Sequence, residues 1–99
     1  MATIYQEWPN TRVDLSAGET SSVFYLTIGE TIVVVNPSPG GSMLAEASWS
    51  MPRELQAGVG IWLPWDPGTV TDKTSQSLFD ATALRFTATA AAGIAEFRQ

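Results

Sequence analysis

The chain contains no cysteine and no histidine. Without cysteine there is no disulfide, no thiolate-held zinc and no thiol nucleophile. Without histidine the commonest general base and the commonest imidazole metal ligand are missing, and no side chain has an ordinary pKa near neutrality. Two of the residue types most often found in catalytic centres are thereby removed, so the expectation is a protein that is not an enzyme and that holds no cofactor or metal. Basic residues are also scarce, with five (Arg12, Arg53, Lys73, Arg85 and Arg98) against ten acidic ones and a formal net charge of −5. They are scattered along the chain, whereas nucleic-acid binding needs a clustered positive footprint, so no nucleic-acid partner is expected. The longest apolar run is Ile32-Val33-Val34-Val35, far short of the roughly 20 residues of a membrane-spanning helix. The opening residues, Met1 to Glu7, have neither the basic nor the apolar region of a signal peptide, and the expectation is a chain made and kept in the cytoplasm unless it leaves as part of something larger.

What is present points to one domain, residues 1–99. A chain of this length buries only about two-thirds of the surface exposed by its unfolded form, so its core is thin and partners would supplement it. β-Branched and aromatic residues come in short bursts separated by Gly, Pro, Ser and Asp at intervals of about ten residues, the pattern of a sandwich or barrel. The predicted fold class is all-β, an antiparallel β-sandwich or barrel-like single domain with about seven to nine short strands. Strands are expected at 2–7, 12–15, 21–28, 31–36, 43–50, 58–63, 76–79, 83–89 and 94–98. A short helix or a loop is expected at 50–58, where Ser50 can cap, Pro52 fits the first turn and Gly58 can stop it.

Alternation is clearest from Met43 to Ser50, with Met43, Ala45, Ala47 and Trp49 on one face and Glu46, Ser48 and Ser50 on the other. From Leu84 to Thr89 the apolar set is Leu84, Phe86 and Ala88, with Arg85, Thr87 and Thr89 opposite. Gly18-Glu19-Thr20 and Gly29-Glu30-Thr31 each put a glycine where a turn needs positive φ; they read as local turn chemistry or as a degenerate repeat. Residues Asn36 to Ser42 form a Pro/Gly loop, and Thr87 to Gly93 reads as the hairpin before the last strand.

The candidate sites are aromatic. Four tryptophans are present, and Trp62-Leu63-Pro64-Trp65-Asp66-Pro67-Gly68 brings two of them together. They form an exposed platform for a sugar or a protein partner, or else Trp62 belongs to the core and Trp65 caps the sandwich beside a turn. Tyr5 and Trp8 mark a first strand that either tucks into its own sheet or adds to a neighbour's edge. Tyr5, Trp8, Trp62 and Trp65 are the expected contact residues. Asp66, Asp72 and Asp80 do not form a calcium loop and read as a solvated face, and nothing in the sequence selects a carboxylate pair for glycoside hydrolysis.

The layout runs as a short first strand, a turn from Ala17 to Thr20, a valine-rich strand ending in a Pro/Gly loop, then Gly60-Ile61-Trp62-Leu63-Pro64-Trp65-Asp66-Pro67-Gly68-Thr69-Val70 and Thr82 to Thr89. In this it resembles the small accessory structural proteins of tailed bacteriophages. The resemblance implies a β-sandwich that decorates or cements the capsid of a virion, made in the host cytoplasm and bound between copies of the major capsid protein, commonly as a homo-oligomer, with a trimer favoured. It implies an exposed or capsid-facing Pro37 to Ser42 loop. Other proteins of that kind sit on the tail or fibre, and the alternative expectation is a carbohydrate-binding or adaptor module there, with Trp62 and Trp65 as stacking planes.

Overall fold

The computed structural model of the chain describes residues 2–99. Its elements run β1 (Thr3–Glu7), β2 (Asn10–Leu15), β3 (Phe24–Tyr25), β4 (Glu30–Pro37), β5 (Ser42–Ser48), α1 (Pro52–Gln56), β6 (Leu63–Pro64), β7 (Thr74–Phe79), β8 (Ala83–Thr89) and β9 (Gly93–Arg98). One sheet has the order β1-β2-β9-β4-β7 and the other β3-β8-β5-β6, with every pairing antiparallel. Leaving β1 aside, each sheet has four strands, and the chain changes sheet at every step from β2 to β9 except β5 to β6. That alternation is the jelly-roll form of the antiparallel sandwich.

The core follows from side chains alternating across each strand. Val13 and Leu15 of β2, Val33 and Val35 of β4, and Ala95 and Phe97 of β9 point inward from one sheet. Met43, Ala45 and Ala47 of β5 and Leu84, Phe86 and Ala88 of β8 point inward from the other, as the alternation predicts. Three phenylalanines clasp the sheets together. The Phe24 ring meets that of Phe97 edge-on at 5.2 Å, and Phe86 stacks on Phe97 at 6.1 Å.

Several expectations need correction. The strand expected at 21–28 shrinks to Phe24–Tyr25, because Ser21 and Leu26 bond to β8 and to Thr82 as isolated contacts and not as a ladder. The strand expected at 58–63 keeps only its last residue, in β6, because hydroxyls of Ser48 and Ser50 occupy the backbone groups of Ile61. The segment 87–93 is no hairpin: β8 and β9 lie in different sheets, and Ala90, at φ 70°, turns the chain from one to the other. The helix forms at Pro52–Gln56, with the Glu54 carboxylate accepting from the Met51 N–H. Gly18 and Gly29 both take positive φ, at 77° and 124°, as their turns require. Beside Gly18, the Ser16 N–H donates to Glu19 Oε1 at 2.9 Å and holds that carboxyl below its ordinary pKa.

The first strand pairs with β2, but none of its five residues is buried. It lies beyond the opposite sheet. Replacing Phe97 by alanine should cost about 3–5 kcal/mol in urea denaturation, whereas Ile4→Ala on β1 should stay within about 1 kcal/mol of the parent.

Candidate docking surface

The four tryptophans have four different environments. Trp65 is only 3% exposed and its indole N–H donates to the Gly68 carbonyl at 2.6 Å, so it belongs to the core. The Asp66-Pro67-Gly68 turn delivers that carbonyl, which lets a polar indole sit inside an apolar layer. Trp62 is half-buried on the outer face of the second sheet. The Arg85 guanidinium lies 4.2 Å from its ring and is held by the Glu46 carboxylate at 3.0 Å. One face of that indole is thus already occupied by a cation. The expected pair, Trp62 and Trp65, forms no shared platform. Trp8 is 76% exposed in the β1–β2 turn, and Tyr5 is exposed on β1 with Arg12 5.6 Å from its ring. Arg12 in turn donates to Asp14 at 2.8 Å, a contact that raises the guanidinium pKa.

The largest departure from the alternation concerns Trp49, expected on the buried face with Met43, Ala45 and Ala47. β5 ends at Ser48, which is itself fully buried, and Trp49 emerges into solvent. A knot of hydrogen bonds fixes this break. The Ser48 hydroxyl donates to the Ile61 carbonyl at 2.6 Å and accepts from the Ser50 N–H at 3.1 Å. The Ile61 N–H donates to the Ser50 hydroxyl at 2.9 Å, and the Thr82 hydroxyl donates to the Ser50 carbonyl at 2.6 Å. The Trp49 indole N–H then reaches the Phe79 carbonyl at 2.9 Å.

The result is an apolar surface at the margin where β6 and β7 end the two sheets. Trp49, Ile61, Leu63 and Phe79 each leave between 48% and 69% of their surface in water. A groove between Leu63, Pro64 and Phe79 has Trp65 and Leu78 in its lining and Asp66 at its side, and a second concavity joins Trp49 to Ile61 and Leu63. Sequence reasoning missed these residues. One signal was available: Leu78 and Phe79 are adjacent in a strand, so both cannot face the core.

The chemistry of the rest is sparse. Another groove runs along Asn36, Pro37, Pro39 and Thr71 to Lys73, with Asp72 and Lys73 as its ionisable lining. Pro37, expected in an exposed loop, is buried as the last residue of β4, while Pro39 and Gly40 form the exposed tip. Among the described residues no group of three or more His, Cys, Asp or Glu could hold a metal, and no helix is long and apolar enough to cross a membrane. A scan against protein-family models finds no match for this chain, and neither does a search of curated proteins.

Ser48→Ala removes a buried hydroxyl and leaves the Ile61 carbonyl and the Ser50 N–H short of partners. The expected loss is about 1–3 kcal/mol, read as a lower denaturation midpoint, together with faster hydrogen exchange at Ser50.

Proposed function

We propose that the chain is a non-catalytic structural subunit that works by docking, and that it decorates or cements a bacteriophage capsid by binding between copies of the major capsid protein. One observation carries the docking role: the contiguous surface of Trp49, Ile61, Leu63 and Phe79, held rigid by the knot around Ser48. Its four large apolar side chains stand together about half exposed or more, and the largest apolar patch on a small protein is often functional. Aromatic anchors in such a patch supply most of the binding energy of an interface.

The charge at the rim says what kind of surface fits. Asp66 lines the same groove, Asp80 follows Phe79, and the chain as a whole carries −5. A complementary partner therefore offers an apolar knob flanked by Lys or Arg, and rim pairs of that kind govern association rate and salt sensitivity more than final affinity. The placement on a virion is supported by the layout resemblance set out above and by the jelly-roll topology, an architecture used by capsid proteins and also by lectins. Both are analogies of form. On a shell, many weak contacts add through repetition, which suits a thin-cored domain. A glycan platform on Trp62 and Trp65 has less support, since one ring is inside the core and the other already stacks on Arg85.

Quantitative mass spectrometry of purified particles tests the placement, and absence of the chain from them would remove the capsid role. Co-sedimentation with those shells tests the surface: Phe79→Ser and Ile61→Asp should each weaken binding at least about tenfold while leaving the thermal midpoint within a few degrees of the parent. Equal binding by both variants would move the interface elsewhere.

A further inference from the structure

We infer that β1 is an association edge, and that two copies of this chain pair through it, antiparallel about Tyr5, to make one continuous ten-stranded sheet. This concerns the opposite margin from the apolar surface described above and stands independently of it.

Four strands border the two sheets: β1, β7, β3 and β6. Proteins blunt such borders by keeping them short, by placing proline, lysine or a bulge in them, or by capping their free groups. β3 and β6 are two residues each, and β6 contains Pro64. β7 is capped at one end only, where the indole of Trp49 takes the carbonyl of Phe79, its last residue. β1 has neither proline nor lysine, its one charge is Glu7 at its end, and among the described residues nothing caps its outer backbone groups. Thr3-Ile4-Tyr5-Gln6-Glu7 is paired to β2 along its whole length, and among the described residues no strand lies beside the alternate N–H and C=O groups on its other side.

The strand is self-complementary. Full overlap of two five-residue strands about a twofold axis places Tyr5 at the axis, Ile4 against the Gln6 of the other copy, and Thr3 against its Glu7. No charge then faces a like charge, because Glu7 is the sole charged residue of β1 and Arg12 and Asp14 on β2 neutralise each other at 2.8 Å. Cross-strand partners share a face, and Tyr5 is opposite Arg12, so the pair forms a row Arg12–Tyr5–Tyr5–Arg12 with a cation above the ring at each end. On the core-facing side, Ile4 lies beside buried Val13 yet is 43% exposed, because the second sheet stops short of it. Pairing shields its flank. Twofold contacts between identical patches are the commonest way for a chain to meet itself. A five-residue strand buries well below the roughly 800 Å² per partner of a standard interface, so this dimer is weak and concentration-dependent.

The absence of native cysteine makes the test direct. Directly opposed residues in an antiparallel pair have Cα atoms about 4.5–5.5 Å apart, inside the range a disulfide spans. Tyr5→Cys should therefore oxidise in air to a covalent dimer at several times the rate of Ile28→Cys, a control on a side chain 92% exposed elsewhere. By sedimentation equilibrium the parent should rise from 10.6 kDa towards twice that mass with concentration. Tyr5→Lys and Tyr5→Asp should each stay monomeric, and a one-to-one mixture of the two should recover the dimer; Phe79→Ser should dimerise like the parent. The inference is overturned by a parent that stays monomeric up to about 1 mM, by a trimeric mass, by equal cross-linking of the two cysteine variants, or by loss of the dimer in Phe79→Ser with retention in Tyr5→Lys. Circular dichroism of each variant verifies the fold, which β1 substitutions should spare since no residue of that strand is buried.

Discussion

The packing of Phe24, Phe86 and Phe97 across the two sheets is the contact on which the architecture depends. Many of the other inward residues are small, among them Ala45, Ala47, Ala88 and Ala95, and contribute little apolar area each. The three rings, with centroids 5.2 to 6.3 Å apart, supply bulk where β3, β8 and β9 converge, and Trp65 supplies it towards the β6–β7 margin. Aromatic burial of that size dominates the energetics of a small core. It also decides where the core ends. β2 is the last strand on its side to place residues beneath the other sheet, and β1, one strand farther out, has nothing opposite it.

A second constraint is polar. At Ser48 the strand has to stop without leaving a buried hydroxyl or backbone group unpaired, and the sequence answers with hydroxyls at Ser48, Ser50 and Thr82 that bond to Ile61 and to one another's backbone. No buried side-chain polar atom among the described residues lacks a partner. These bonds do more than terminate β5. They turn Trp49 outward, seat Ile61 beside it and fix the segment leading into β6. A docking surface built on such fixed points loses little conformational entropy when a partner arrives, which improves affinity without adding contacts.

How far this was legible in the sequence depended on whether a feature was local. Period-two alternation in Met43 to Ala47 and in Leu84 to Ala88 is a property of consecutive residues, and it reads directly as buried and wet faces. The glycine turns at Gly18 and Gly29 are equally local. Trp49 was misassigned because the break at Ser48 is caused by Ile61 and Thr82, 13 and 34 residues away. Trp65 was ambiguous for a similar reason: a tryptophan beside a turn can go in or out, and the Gly68 carbonyl that satisfies its indole is visible only once the turn is folded. Sheet exchange between β8 and β9 was hidden because a crossing and a hairpin use the same small residues. The exposed strand at Tyr5 and Trp8 was legible as a segment, but its lack of cover depends on the extent of the opposite sheet.

Uncovered apolar margins and an acidic surface belong together. A sandwich that leaves Trp49, Ile61 and Phe79 exposed at one margin and β1 unpaired at the other would associate indiscriminately if it were neutral, because both features template unwanted contacts. A charge of −5 opposes approach at any orientation that does not bring favourable contacts into register. At β1 the opposition is small, because the Arg12–Asp14 pair is neutral and Glu7 is the strand's one charge, whereas beside Phe79 it is kept by Asp66. The two margins thus discriminate differently, one tolerating an identical strand and the other favouring a surface that carries positive charge.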